Sequence, residues 1–300
     1  MSGLFHSILG LPRSGKTTYL AALWHLIDAG EAHTTLVLDR LVGDHAYLNK
    51  IVEAWRRCEE VPRTSMGAEE KSLSIHVHER ETGTKAILAF PDLSGESFER
   101  QFATRACTPE YVEGFEGEGG IVLFINADRP SDGMTILDIA PAVAEGDVQG
   151  QLQEQQLAEP PGEPDGQKQK IAVERWKPNC VPEQVRLVDL LQFIQRPPFR
   201  RRIRRIAVII SAWDVLGTTA LQPFEWLARE MPLLDQFLAN SPESFEVRVY
   251  GVSAQGGTVR GNSRIDLLKM SQPSLRIRCV GSNTGPHDLT APLVWLSGGD

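Results

Sequence analysis

The chain of 300 residues predicts an α/β fold of three layers, a mostly parallel sheet with helices on both faces, carrying a long insertion and a C-terminal extension. Short continuous apolar runs, such as Ala86–Phe90, Ile121–Ile125 and Ile206–Ile210, read as strands buried on both faces, as in parallel sheets. Helical apolar patterns alternate with them, which is the rhythm of strands joined by crossover helices. A glycine-containing turn separates the first strand from the first helix, where such sheets carry ligand sites.

In chain order, Leu4 to Leu9 is a buried strand, and Lys16 to Ala29 is a helix with Leu20, Leu23, Trp24 and Ile27 on one stripe and Gly30 past its end. Leu41 to Glu60 predicts a second helix, with Leu48, Ile51, Val52 and Trp55 at helical spacing. Ser72 to His78 alternates like a strand with one wet face, Leu73, Ile75 and Val77 pointing inward. Ala86 to Phe90 is a strand running into Pro91-Asp92, Gly95 to Ala106 is helical, and Ile121 to Ile125 is again a strand. Residues 128–182 break the rhythm as an insertion. Its middle, 149–170, has too few large apolar side chains to offset the entropy of ordering and is expected to be a disordered loop. Glu183 to Gln195 predicts a helix with Val185, Val188, Leu191 and Ile194 on one face, followed by the strand Ile206–Ile210. Helices around Pro223–Arg229 and Leu233–Asn240 precede the strand Phe245–Val252. The extension, 256–300, holds a strand at Leu275–Val280 and a helix at Ala291–Leu296, with Thr290 as N-cap and Pro292 in its first turn. The whole, 1–300, reads as one elaborated domain.

Composition narrows the function. Apolar residues make up 41% of the chain, enough for a sizeable core. The 31 basic and 39 acidic residues give a formal charge of -8, which argues against a general nucleic-acid binder. Cys58, Cys107, Cys180 and Cys279 show no paired spacing of a zinc site and read as reduced thiols of a cytoplasmic protein. No secretory leader and no membrane-spanning run is expected. The histidines have no metal-ligand spacing, and His76 and His78 read as sheet-surface residues.

The chemistry is concentrated near the N-terminus. Gly10-Leu11-Pro12-Arg13-Ser14-Gly15-Lys16-Thr17 matches G-x-x-x-x-G-K-[ST], between a strand and a helix as the mechanism requires. Its glycines allow a tight wrap whose N–H groups make an anion nest, and the helix adds its positive end. Lys16 is expected to reach the β- and γ-phosphates and Thr17 to give its hydroxyl to Mg²⁺. Arg13, Ser14 and Thr18 are counted with the phosphate site. Asp92, within Asp92-Leu93-Ser94-Gly95-Glu96 at a strand end, is expected to hold Mg²⁺ through water, and the Gly95 N–H to approach the γ-phosphate. An ordinary strand-end turn is the plain alternative. Asp214, in Ser211-Ala212-Trp213-Asp214 after an apolar strand, is placed to accept two N–H bonds from a guanine edge; N-capping of a helix is the alternative. Ser253-Ala254, after the next strand, is placed to offer a backbone N–H to the guanine oxygen.

This order of motifs, from Leu4 to about Ala254, resembles a P-loop GTPase of the Ras-like, translation-factor-related class. The insertion, the Ser-Ala-Trp-Asp variant and the tail Pro292-Leu293-Val294-Trp295-Leu296 resemble more closely the bacterial double-GTPase family of conflict (defence) systems. The resemblance implies a P-loop NTPase fold, GTP or GDP as ligand, Mg²⁺ as cofactor, and protein partners of a switch system, a second GTPase among them. The departures have chemical consequences. Ser211 and Ala212 stand where the broad class has Asn-Lys, so guanine recognition rests largely on Asp214, with Trp213 either over the base or in the core. Glu96 stands where Ras-like proteins often carry a water-orienting glutamine; it accepts a hydrogen bond from water but donates none to the phosphate.

A threonine for Mg²⁺ and the γ-phosphate is expected between Gly30 and Ser72, with Thr64 the first choice and Thr34 and Thr35 the alternatives. Arg63 and Arg13 are candidates for an internal arginine finger, surface arginines being the plain reading. The six arginines between Arg196 and Arg205 read as a solvated loop, with an acidic partner or membrane surface as the other reading. A nucleotide-binding scaffold without turnover and an ATPase or small-molecule kinase remain the rival functions.

Overall fold

The computed structural model describes residues 4–43, 45–62, 73–90, 96–129, 181–217 and 221–299, with Glu96 described by its backbone alone. Arg63, Thr64, Asp92, Gly95, Cys180 and most of the expected insertion, including 149–170, lie outside the described residues.

One eight-stranded sheet organises the chain. Its strands are β1 (Leu4–Gly10), β2 (Leu36–Val42), β3 (Leu73–Glu79), β4 (Lys85–Phe90), β5 (Ile121–Asn126), β6 (Arg204–Ser211), β7 (Phe245–Ser253) and β8 (Arg278–Val280). They lie in the order β2-β3-β4-β1-β5-β6-β7-β8. The inner five, β4 to β7, are parallel, and β2, β3 and β8 close the edges with antiparallel pairing. The α/β expectation is met.

Alternation along the central strands divides the interior into two cores. Ile8, Val122, Phe124, Ala207 and Ile209 face one side. Leu9, Ile121, Leu123, Ile125 and Val208 face the other. The first side is covered by α1 (Lys16–Ala29), α2 (His45–Arg56) and α9 (Ala291–Leu296). The second is covered by α3 (Glu96–Thr104), α4 (Pro109–Glu113), α5 (Glu183–Phe193), α6 (Pro223–Glu230) and α7 (Pro232–Ala239). Helix α8 (Gly261–Leu268) lies in the C-terminal segment. Helix α1 buries Tyr19, Leu20, Leu23 and Leu26 around most of its circumference and ends on a left-handed Gly30.

Several sequence expectations are corrected. The helix expected from Leu41 to Glu60 starts only at His45, because Leu36–Val42 is a strand. A register shift between Leu38 and Arg40 breaks the inside-outside alternation that would have revealed it. On α5 the buried stripe is Leu187, Leu190, Leu191 and Ile194, while Val185 is exposed. The expected face was rotated toward the β-branched residues. The strand expected from Leu275 to Val280 is a 3-10 turn, Pro273–Arg276, followed by the short β8. Thr290 precedes α9 but makes no side-chain cap; its hydroxyl donates to Asp288 Oδ1 at 2.6 Å. The arginine run is not uniformly solvated. Arg204 is buried, donating to the Arg200 carbonyl, and burial followed by the Arg202 charge lowers its pKa to about 10. Arg202 binds the carbonyls of Gly117 and Gly119, and Arg205 stacks on Trp295 while donating to its carbonyl. Arg196, Arg200 and Arg201 remain exposed.

The C-terminal segment is stitched into the first core. Asp288 accepts the N–H and hydroxyl of Thr35 at 3.2 Å on one oxygen and the N–H and hydroxyl of Thr290 on the other. Tyr19 donates to the Leu289 carbonyl at 2.8 Å. His6, on β1, accepts the Gly120 N–H on Nδ1, so its proton sits on Nε2, 2.9 Å from the Ser297 hydroxyl. Burial lowers the His6 pKa from 6.5 to about 4.

Unfolding exposes His6, so below pH 6.5 the unfolded chain binds a proton that the folded chain takes up only near pH 4. Stability is expected to fall across that window by about 3 kcal/mol in total. Urea unfolding of the unaltered chain and of His6→Gln at pH 6.5 and 4.5 checks this; the variant is expected to lose less over the same interval.

Candidate functional site

The sheet order places the site. From β1 the chain builds β2, β3 and β4 on one side and then crosses to β5 on the other, so β1 is the topological switch point. Ligands of such sheets bind beyond the carboxyl ends of the strands there. Gly10, the last residue of β1, opens the glycine loop at that end, and β4, β5, β6 and β7 end on the same edge.

The loop wraps as its sequence requires. Gly10 cannot carry a side chain, since a Cβ would lie 2.5 Å from Ser14 Oγ and 2.9 Å from Phe124 Cβ. Arg13 (φ 65°) and Gly15 (φ 93°) both occupy the left-handed region. Ser14 N–H closes a turn onto the Leu11 carbonyl at 3.3 Å, and the first helical bond of α1 runs from Tyr19 N–H to Gly15 O. No side chain caps α1, so its first-turn N–H groups have no intrahelical acceptor and open toward the loop. Lys16 is only 3% exposed, and its ammonium donates to the carbonyls of Gly10 at 2.5 Å and Leu11 at 3.1 Å. It also lies 6.0 Å from the centre of the Phe98 ring of α3. Thr17 and Thr18 are half-buried in the first turn, and the Arg13 side chain is exposed.

Two neighbouring strands hold the outside of the loop. From β6, the Ser211 hydroxyl donates to the Ser14 carbonyl at 2.8 Å. From β5, Asn126 Nδ2 donates to the Arg13 carbonyl at 2.9 Å. Neither bond was anticipated from the sequence, although an asparagine closing an apolar strand beside β1 is the signal that could have found one of them.

The candidate base-binding residues also converge. Asp214 stands in a 3-10 turn, Trp213–Leu216, entered through a left-handed Ala212. The Ser253 hydroxyl donates to Asp214 Oδ1 and accepts the Gly256 N–H at 3.1 Å. That hydrogen bond fixes the carboxylate and leaves Oδ2 without a partner among the described residues. Ala254 is buried, and its carbonyl accepts the Trp55 indole N–H at 2.9 Å. Trp213 lies against Gly251, whose missing side chain makes room for the indole, so it is packed on the sheet rather than held as a cover.

The structure thus gathers Gly10, Arg13, Ser14 and Gly15 of the loop with Lys16, Thr17 and Thr18 of the first turn of α1, and Asp214, Ser253 and Ala254 at the same sheet edge. Thr34 and Thr35 sit before β2, whose first residue pairs with the end of β3, at the opposite edge of the sheet. Thr35 is held there by Asp288. Thr64, the first choice among the threonines, lies outside the described residues. Among the described residues no cluster of acids, histidines and cysteines suits a metal ion. Within the same residues no helix is long and apolar enough to cross a membrane. Cys58, Cys107 and Cys279 are free.

A sequence profile of the family described as Double-GTPase 1 matches residues 7–296. No curated protein matches the chain. Among solved structures, the chain is similar to the GTP-bound GTPase-like domain of S. cerevisiae Ski7 at 12% identity and a TM-score of 0.41, covering 99% of this chain. It spans only 50% of the Ski7 chain. It is also similar to nucleolar GTP-binding protein 1 of Plasmodium falciparum at 11% identity and a TM-score of 0.34, covering 90% of this chain and 89% of that one. Both likenesses are too distant to bear on function.

At Gly15 a Cβ would lie 2.6 Å from Ser211 Oγ, in a backbone conformation that disfavours side chains. Gly15→Ala is therefore expected to lower stability by about 2 kcal/mol. Ser211→Gly loses the donor to the Ser14 carbonyl and has its own cost, but the penalty of Gly15→Ala is expected to be smaller in that background than in the unaltered chain, because the clash is gone and only the strain remains; chemical denaturation of the four proteins checks it.

Proposed function

This chain belongs to the Double-GTPase 1 family, and on that premise we propose that it is a GTP-binding, Mg²⁺-dependent and GTP-hydrolysing switch that acts through partner proteins in a bacterial conflict system. Family membership supports guanine-nucleotide binding. The observation that carries the finer reading is the loop itself, with a buried Lys16 ammonium held by the Gly10 and Leu11 carbonyls, and with Arg13 and Gly15 in left-handed conformations, at the switch point of the sheet. A Mg²⁺ ion bound with the triphosphate would supply neutralisation of phosphate charge. Thr17 is the described residue suited to hold it, and Thr64 and Asp92 are proposed to complete the set. A hydroxyl and a carboxylate fit such an ion, which takes oxygen ligands and keeps several waters.

In this reading the loop N–H groups and Lys16 bind and orient the phosphates, and stabilise charge as water attacks the γ-phosphorus. Glu96 accepts a hydrogen bond from that water, and Arg13 or Arg63 adds a positive charge in the transition state. Gly95 and Thr64 form the segments that respond to the γ-phosphate. Helix α3 follows directly and is ion-paired to α5 through Glu99 and Arg186 at 3.0 Å, so its displacement would alter an exposed partner surface. Asp214, fixed by Ser253, reads the guanine edge. A scaffold that binds nucleotide without turning it over is the second reading, favoured by Glu96 in place of a glutamine.

Calorimetric titration with the four nucleoside triphosphates in the presence of Mg²⁺ tests binding. GTP is expected to bind in preference to ATP, and Lys16→Ala to weaken GTP by at least about a hundredfold, as loss of a charged phosphate contact does. Asp214→Asn is expected to weaken GTP by about ten- to a hundredfold and leave ATP unchanged. Equal affinity for ATP, with an indifferent Asp214→Asn, would remove the guanine assignment. Single-turnover phosphate release separates the two readings: none, with GTP bound and partners present, selects the scaffold.

A further inference from the structure

We propose that Asn126 is a positioning residue of the phosphate loop, holding the Arg13–Ser14 peptide in the orientation that turns the loop N–H groups inward. The functional part of this inference rests on the nucleotide reading above; the structural part does not. Arg13 sits at φ 65°, a conformation that is unfavourable for a residue with a side chain. Alternation of right- and left-handed residues is what makes successive N–H groups converge on an anion, and it turns the intervening carbonyls outward. The Arg13 carbonyl is one of these, and Asn126 Nδ2 meets it at 2.9 Å.

The carboxamide is itself locked. Its Oδ1 accepts the Asp128 N–H at 2.9 Å. Because the Arg13 carbonyl only accepts and the Asp128 amide only donates, one orientation of the side chain satisfies both. The backbone beneath it is fixed as well: β5 pairs with β1 up to Gly10 and Phe124, and the Ala127 N–H donates to the Ser211 carbonyl at 2.9 Å. Aspartate at 126 would keep the bond to Asp128 but face the Arg13 carbonyl with a second acceptor. Alanine would lose both bonds. A local turn at the strand end accounts for the Oδ1 bond alone, and the reach of Nδ2 to a residue 113 positions earlier is what the positioning role explains.

The test uses the full chain, with and without Asn126→Ala, in an unaltered and in an Arg13→Gly background. Glycine adopts φ 65° without strain, so it removes the need for an outside hold. Titration with GTP is expected to show Asn126→Ala weakening binding about tenfold in the unaltered loop and by about twofold or less beside Arg13→Gly. In nucleotide-free protein, amide hydrogen exchange of Ser14 and Tyr19, whose N–H groups are bonded to the Leu11 and Gly15 carbonyls, is expected to accelerate in Asn126→Ala while β5 and β6 keep their protection. An equal penalty in both backgrounds, unchanged exchange in the loop, or acceleration spread through β5 and β6 would each overturn the proposal. If the unaltered chain takes up no GTP but the loop exchange responds as stated, the positioning role stands and the nucleotide reading fails.

Discussion

A loop that aims its N–H groups at one point must aim its carbonyls elsewhere, and every one of those carbonyls needs a donor. The site of this protein depends on that constraint. The Gly10 and Leu11 carbonyls are met by Lys16, the Arg13 carbonyl by Asn126 and the Ser14 carbonyl by Ser211. The two latter donors come from the ends of β5 and β6, so the loop is shaped from outside by strands already fixed in the sheet. This explains why a serine suffices at position 211. The position needs one donor at short range, and Gly15, lacking a Cβ, lets the strand approach closely enough for a hydroxyl to reach.

The same sheet edge links the loop to the candidate base-binding residues. Strand β7 carries Ser253, whose hydroxyl fixes Asp214 on the turn after β6, and Trp213 is seated against Gly251 of β7. Asp214 is therefore positioned from the next strand, by Ser253, rather than by the residues that precede it. Position and side-chain chemistry are separable here: Ala212 contributes a left-handed backbone and no functional group.

Elements whose burial is local and regular were legible from the residues alone. Helix α1, with Gly30 at its end, and the apolar runs Ile121–Ile125 of β5 and Ile206–Ile210 of β6 are of this kind. So was the phosphate loop, because its spacing is dictated by a tight turn. Strand β2 was hidden by its bulge, and the face of α5 was misjudged because β-branched residues at Val185 and Val188 mimicked a stripe that Leu187 and Leu190 occupy. The holds on the loop escaped notice for a different reason. Asn126 and Ser211 are ordinary strand-end residues in sequence, and only the parallel register of β1, β5 and β6 brings them to Arg13 and Ser14. Half of the arginine run became structural: Arg202 and Arg205 through carbonyls and a ring of distant segments, and Arg204 through the Arg200 carbonyl within the run itself.

The stitching of the C-terminal segment has a consequence for how the protein comes into being. His6 meets Ser297, and Thr35 meets Asp288, across separations of 291 and 253 residues. Contacts that distant close slowly, because the intervening loop must be ordered first. During translation, β1 and the edge of β2 therefore emerge from the ribosome long before their partners exist, and their apolar faces wait uncovered while the remaining strands are made. A truncation that removed α9 would leave uncovered, even in the finished fold, the part of the first core that it covers beside β5 and β6.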